Sequence, residues 1–143
     1  MPAFHTADDS VPSSELSPAK RIVRAARAQL FLHGYSTWTM DDLAVELGMS
    51  KKTLYQHFSG KEQLAREALL EFAAEVRAEA DQILSDRRLT FAEKLRGFVG
   101  GMLQRLGQIT PHMLRDLQRF APALHKLIFD LRRRNAPHIF GTL

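Results

Sequence analysis

Residues 39–64 read TMDDLAVELGMSKKTLYQHFSGKEQL, and the punctuation of this stretch decides the fold. Thr39 is a good N-cap, and Asp41 and Asp42 follow in the first turn, where the helix macrodipole favours carboxylates. Leu43 and Leu47 sit one helical turn apart and form a buried face. Gly48 breaks that helix, and Ser50 caps a second, short one running to about Phe58. Two short helices meeting at Gly48-Met49-Ser50 predict a helix-turn-helix over about 39–58. Ala44 is small enough for a close crossing. Leu43, Leu47, Met49, Leu54 and Phe58 are the expected shared core.

The second helix carries the chemistry. At about 100° per residue, Leu54 and Phe58 fall on one side and must face inward. Lys52, Thr53, Tyr55 and Gln56 fall outside that stripe, with Lys51 and His57 on its borders. The outer face therefore offers ammonium, hydroxyl, amide and imidazole groups, which are the groups that contact phosphates and base edges. Gln56 suits an adenine edge, and Thr53 a base or a phosphate. Tyr55 and His57 suit backbone oxygens. Thr39 and Lys61 begin the flanking helices, whose free N–H groups attract phosphate. The candidate DNA contacts are Thr39, Ser50, Lys51, Lys52, Thr53, Tyr55, Gln56, His57 and Lys61.

Outward from this stretch, nearly everything reads as helix. Ser17-Pro18 opens the first helix, Ile22, Ala26 and Leu30 form its inner stripe, and His33-Gly34 ends it. After Ser59-Gly60, a long helix spans about Lys61–Leu84, with Leu64, Ala68, Phe72, Val76 and Ile83 on its apolar side. Thr90 and Glu93 form a capping box for a helix to about Ile109. Thr110-Pro111 opens the next, Ala121-Pro122 interrupts it, and Asn135-Ala136-Pro137 is expected to stop the chain's last helix near Arg134. No segment alternates as a strand does. Residues 1–16, rich in Ser, Pro and Asp, read as a mobile arm with Asp8, Asp9 and Glu15 and no Lys or Arg, poorly suited to minor-groove insertion.

Composition narrows the classes. Twenty Lys and Arg against sixteen Asp and Glu leave a net charge of +4, mildly basic, which fits a nucleic-acid partner. The chain has no cysteine, which excludes disulfides, thiolate metal sites and cysteine nucleophiles. With no signal-like N-terminus and no long apolar run, a cytoplasmic, nucleoid-associated protein with no membrane contact is expected. No triad, carboxylate dyad or phosphate-binding loop is visible, so no enzyme activity and no cofactor are expected. His112, His125 and His138 match no metal-ligand spacing, and no metal is expected.

Residues 21–64 resemble the N-terminal domain of the TetR family of bacterial regulators. The resemblance rests on His33-Gly34-Tyr35, on Thr39 to Ala44, on Gly48 to Phe58, and on Lys61-Glu62. The spacing Thr53-Leu54-Tyr55-x-His57-Phe58-x-x-Lys61 is its most specific part. It implies an all-α homodimer that places two reading helices in successive major grooves of double-stranded DNA. It also implies a repressor released when a small hydrophobic effector binds the C-terminal domain. The division expected is an arm (1–16), a DNA-binding domain (17–62) and a helical effector and dimerisation domain (63–143). That last domain is read as incomplete, because family members continue for several more helices. Candidate effector contacts are Phe72, Phe98, Met102, Leu106, Met113, Leu117 and Phe120; the alternative for each is ordinary core. Two departures stand out: the length, and Leu30 where the family has an aromatic residue, with Phe31 one place later. A truncated or non-regulating helical interaction module remains the alternative reading of the whole chain.

Overall fold

The computed structural model describes residues 16–141, and side chains as far as residue 136; the N-terminal arm expected over 1–16 thus lies almost wholly outside the described residues. The described chain is all helical. Its helices are α1 (Pro18–His33), α2 (Met40–Leu47), α3 (Lys51–His57), α4 (Lys61–Ser85), α5 (Phe91–Gln108), α6 (Pro111–Phe120) and α7 (Pro122–Gly141).

Most boundaries follow from local chemistry. The hydroxyls of Ser17, Thr39, Ser50, Thr90 and Thr110 each accept a backbone N–H of the helix they precede. Thr39 and Asp42 close a full capping box. The box expected at Thr90 is only half formed: the Thr90 hydroxyl accepts from Glu93 N–H and donates to the Glu93 carboxylate at 3.1 Å. Gly48 ends α2 in the left-handed region, at φ 65° and ψ 28°.

One boundary differs from expectation. Helix α7 does not stop at Asn135-Ala136-Pro137 but runs through to Gly141. A proline in a helix interior forfeits a backbone hydrogen bond at a cost of about 3 kcal/mol. Packing of α7 along α4 offsets that cost, and the Asn135 amide donates to the Ala73 carbonyl of α4 at 3.3 Å.

Two clusters make the core. The first joins α1, α2, α3 and the start of α4 through Ile22, Ala26, Met40, Leu43, Ala44, Leu54, Leu64 and Ala68, with Trp38 from the α1–α2 connection. Leu47 and Met49 pack at its edge. The second joins α1, α4, α6 and α7 through Leu30, Leu69, Met113, Leu117, Leu124 and Ile128. Leu30 is fully buried here, while Phe31 sits beside it against Phe72, ring centroids 4.9 Å apart. An aromatic residue is thus supplied one position later than the family pattern, on the same side of the helix. A smaller cluster of Ala80, Leu84 and Phe98 holds α5 on the far half of α4.

Candidate nucleic-acid interface

Helix α3 has one fully buried residue, Leu54, and Phe58 just beyond it is nearly as enclosed. These two apolar side chains anchor the helix and leave the rest of its surface to solvent. Lys51, Lys52, Tyr55, Gln56 and His57 are all exposed, and Thr53 is half-buried. The outer face expected from periodicity is the face observed.

Several members of that face already have partners. The Ser50 and Thr53 hydroxyls lie 2.9 Å apart, and Ser50 Oγ accepts Thr53 N–H at 3.1 Å. Lys51 Nζ lies 2.8 Å from Asp41 of α2, and the hydrogen bond to Asp41 holds the ammonium above its ordinary pKa. The side chains of Lys52, Tyr55, Gln56 and His57 make no hydrogen bond to another described residue. They are the groups least engaged and most available to a ligand.

Lys61, at the start of α4, is engaged within the fold. Its ammonium donates to the Trp38 carbonyl and lies 4.5 Å from the ring centroids of both Tyr35 and Trp38. Burial lowers its pKa, with Asp116 and Asp42 pulling the other way. The side chain clamps the α1–α2 connection to the start of α4 rather than reaching out from it. Thr39 is likewise occupied by its capping box, although exposed.

That connection is held from a second side, which the sequence did not reveal. Asp116 of α6, only 9% exposed, accepts Tyr35 N–H at 2.6 Å, Ser36 N–H at 2.7 Å and the Ser36 hydroxyl at 2.7 Å. Burial alone would raise the Asp116 pKa. The hydrogen bonds from Ser36 and Tyr35 outweigh it, His112 adds to them, and the net direction is down. Gly34 has φ 86°, and a Cβ there would stand 2.9 Å from Asp116 Oδ2. Glycine is required at this point for conformation and for space. The available signal was an aspartate sharing the inner face of an amphipathic helix with Met113 and Leu117.

Behind the helix-turn-helix, a cavity of about 360 Å³ opens between α4, α5 and α7. Phe72, Met102 and Leu106 line it, together with Leu69, Val76, Ile109, Ile128 and Leu131. Phe98 lies beside it, in a small neighbouring recess shared with Met102. The other three effector candidates do not reach it. Met113 and Leu117 are fully buried in the second core cluster, because they tie α6 to α1 and α7. Phe120 is 52% exposed at the end of α6, under the Arg119 guanidinium.

Ionic contacts link the cavity wall to α1. Arg27 of α1 pairs with Glu71 at 3.3 Å and Glu75 at 2.6 Å. Arg105 of α5 pairs with Glu79 and lies 3.8 Å from Glu75. Both guanidiniums lie over Phe72, at 5.3 and 5.8 Å from its centroid. Burial would lower the Arg27 pKa, but the hydrogen bond it donates to Glu75 and the charges of Glu75 and Glu71 raise it overall.

Of the three histidines, His112 stands beside Asp116, His125 packs edge-on to Phe129, and the His138 side chain lies outside the described residues. Among the described residues, no helix is long and apolar enough to cross a membrane.

Comparison with known proteins agrees with this geometry. The chain is 31% identical over 101 residues to the uncharacterized HTH-type transcriptional regulator YvaF of Bacillus subtilis (strain 168), an overlap covering 71% of this chain and 53% of that protein. The match thus spans about half the length of the relative. No solved structure matches the chain. Residues 22–68, which hold α1 to α3 and the start of α4, match the family model described as bacterial regulatory proteins, tetR family. By this helix-turn-helix domain, the chain belongs to the tetR family of bacterial regulatory proteins.

Proposed function

We propose that the protein is a sequence-specific DNA-binding transcriptional regulator that reads the major groove with α3. The observation that carries this is the outer face of α3: Lys52, Tyr55, Gln56 and His57 exposed on a helix whose inner side is fixed by Leu54 and Phe58. Electrostatic capture of the duplex backbone comes first, and base readout follows. Lys52 serves the backbone and Gln56 a base edge, with Thr53, Tyr55 and His57 between them. A homodimer places two such helices on a roughly palindromic site.

The protein acts as a repressor released by a small apolar effector. The cavity between α4, α5 and α7 supports this reading, since its volume falls in the range of about 300–1,000 Å³ usual for small-molecule sites. Its wall includes Arg105, which shares Glu75 with Arg27 of α1, and Phe72, which lies under both guanidiniums. An occupant that moves either group changes the forces on the reading head.

The test is selection of fragmented genomic DNA by the purified chain, with recovered fragments sequenced and the salt varied. Enrichment of a palindromic site with a steep salt dependence is expected. Weak, sequence-blind binding at all salt concentrations would overturn the proposal.

A further inference from the structure

Helices α2 and α3 carry opposite charge. From Met40 to Leu47 the chain has Asp41, Asp42 and Glu46 and no Lys or Arg; from Lys51 to His57 it has Lys51, Lys52 and His57 and no Asp or Glu. In a docked helix-turn-helix the first helix crosses the duplex backbone, while the N-terminal residues of the second enter the major groove. A helix bearing carboxylates alone repels phosphates, so α2 opposes the capture that the lysines of α3 favour.

The three carboxylates have different duties. Asp42 accepts Thr39 N–H at 3.0 Å and completes the capping box. Glu46 accepts from the Gln29 amide of α1 at 3.1 Å. Asp41 instead reaches across the turn: its Oδ2 lies 2.8 Å from Lys51 Nζ, with both side chains more than half exposed. An exposed pair of this kind contributes little to stability, so its consequence lies in what it does to Lys51. Lys52, the next residue, is also exposed and has no such partner.

We propose that Asp41 is a specificity-determining residue: it holds Lys51 off the phosphates and so weakens binding to DNA of arbitrary sequence. The inference rests on the proposed function, since it requires α3 to face a duplex. At the duplex surface the pair has two options. If Lys51 stays on Asp41, the pair is neutral and displaces no counterion. If Lys51 turns to a phosphate, Asp41 is left unpaired beside a polyanion. Either way the contact yields less than one made by Lys52. Sequence-independent binding consists of phosphate contacts alone, whereas a specific complex adds the base contacts of α3. A head sliding on arbitrary DNA offers a free lysine many phosphates; a head fixed by base contacts offers only those that its register brings near. The loss therefore falls mainly on arbitrary sequence. A genome supplies a great excess of such competing sites, so this loss favours the specific one.

The test uses the full chain and a mixed-sequence duplex, titrated by fluorescence anisotropy between about 50 and about 200 mM salt. Circular dichroism confirms that each variant folds. Asp41→Asn preserves the capping box and releases Lys51. It should tighten binding about tenfold near about 0.1 M salt and steepen the logarithmic salt slope by about 1, the effect of one added phosphate contact. Adding Lys51→Met should restore the wild-type slope, with affinity within about twofold, because the pair is then as neutral as before. Glu46→Gln removes a charge from the same helix without releasing a lysine, and should leave the slope unchanged. On the site enriched from genomic fragments, Asp41→Asn should tighten binding less than on mixed sequence. An unchanged slope in Asp41→Asn, a gain that survives Lys51→Met, an equal gain from Glu46→Gln, or equal tightening on both duplexes would each overturn the proposal. The two ideas fail differently. A wild type that binds no duplex removes the regulator and this inference with it; a wild type that binds, with a slope indifferent to Asp41→Asn, removes this inference alone.

Discussion

Helices α3 and α5 both present an exposed face, and the two faces are chemically opposite. Around buried Leu54, α3 shows ammonium, amide, phenol and imidazole groups. On α5, where Phe98 is buried, Leu95, Val99 and Leu103 are exposed. A polar face is stable in water and gains most from a charged, hydrogen-bonding partner such as a duplex. An apolar face gains by leaving water altogether. The partner suited to each helix follows from what its exposed side lacks when the chain stands alone.

The comparison is tested most severely by two aliphatic truncations. Leu54→Ala, inside the reading head, should destabilise the fold by about 3 kcal/mol and abolish duplex binding. Val99→Ala, on the exposed row of α5, should change stability by less than about 0.5 kcal/mol in urea unfolding at low chain concentration. Equal losses would mean that the α5 row is already enclosed within one chain.

Asp116→Ala should cost about 2–3 kcal/mol, because it strands the N–H groups of Tyr35 and Ser36 that the carboxylate now accepts. The sign of its pH dependence is fixed. A carboxyl with a lowered folded pKa stabilises the fold above its unfolded value and loses that contribution as pH falls through the folded one. The stability gap between the wild type and Asp116→Asn should therefore close as pH drops below the ordinary carboxylate range near about 4. Urea melts along a pH series would measure it, and a gap that widened with acid would contradict the assignment.

Gln56→Ala should relax preference at one base-pair position by about 1–3 kcal/mol while leaving stability unchanged. Binding to a set of single-position site variants reads this directly; a loss uniform across sites would show that Gln56 reads no base. The smallest effect distinguishes two lysines. Lys52→Ala should weaken binding to every sequence and lower the salt slope by about 1. Lys61→Met should leave the slope alone and lower the melting temperature, since its ammonium is held by Trp38 and Tyr35. The reverse pattern would return Lys61 to the duplex backbone.

How much was legible depended on the range of the forces involved. Thr39, Gly48 and Ser50 act on the backbone within a few residues of themselves, so α2, the turn and α3 could be placed from the sequence. The polar face of α3 was legible for the same reason: once Leu54 and Phe58 face inward, the helical period orients every residue between them. Longer-range contacts were not legible. Asp116 meets Tyr35 and Ser36 across about eighty positions of chain, and Lys61 turns inward because two aromatic rings and a carbonyl converge on it. Pro137 was expected to end α7, but packing on α4 carries that helix onward. Among the effector candidates, apolar periodicity treated Phe72, Met113 and Phe120 alike; only their neighbours place one at a cavity, one in the core and one at the surface.

By itself the sequence determined the order of helices, the helix-turn-helix and the composition of the exposed face of α3, because caps, breakers and periodicity are local and operate before the chain is compact. Only the tertiary structure decided which side chains are already engaged, where the cavity lies and which apolar face has no cover. These depend on residues distant in sequence competing for the same space, and no local rule encodes that competition.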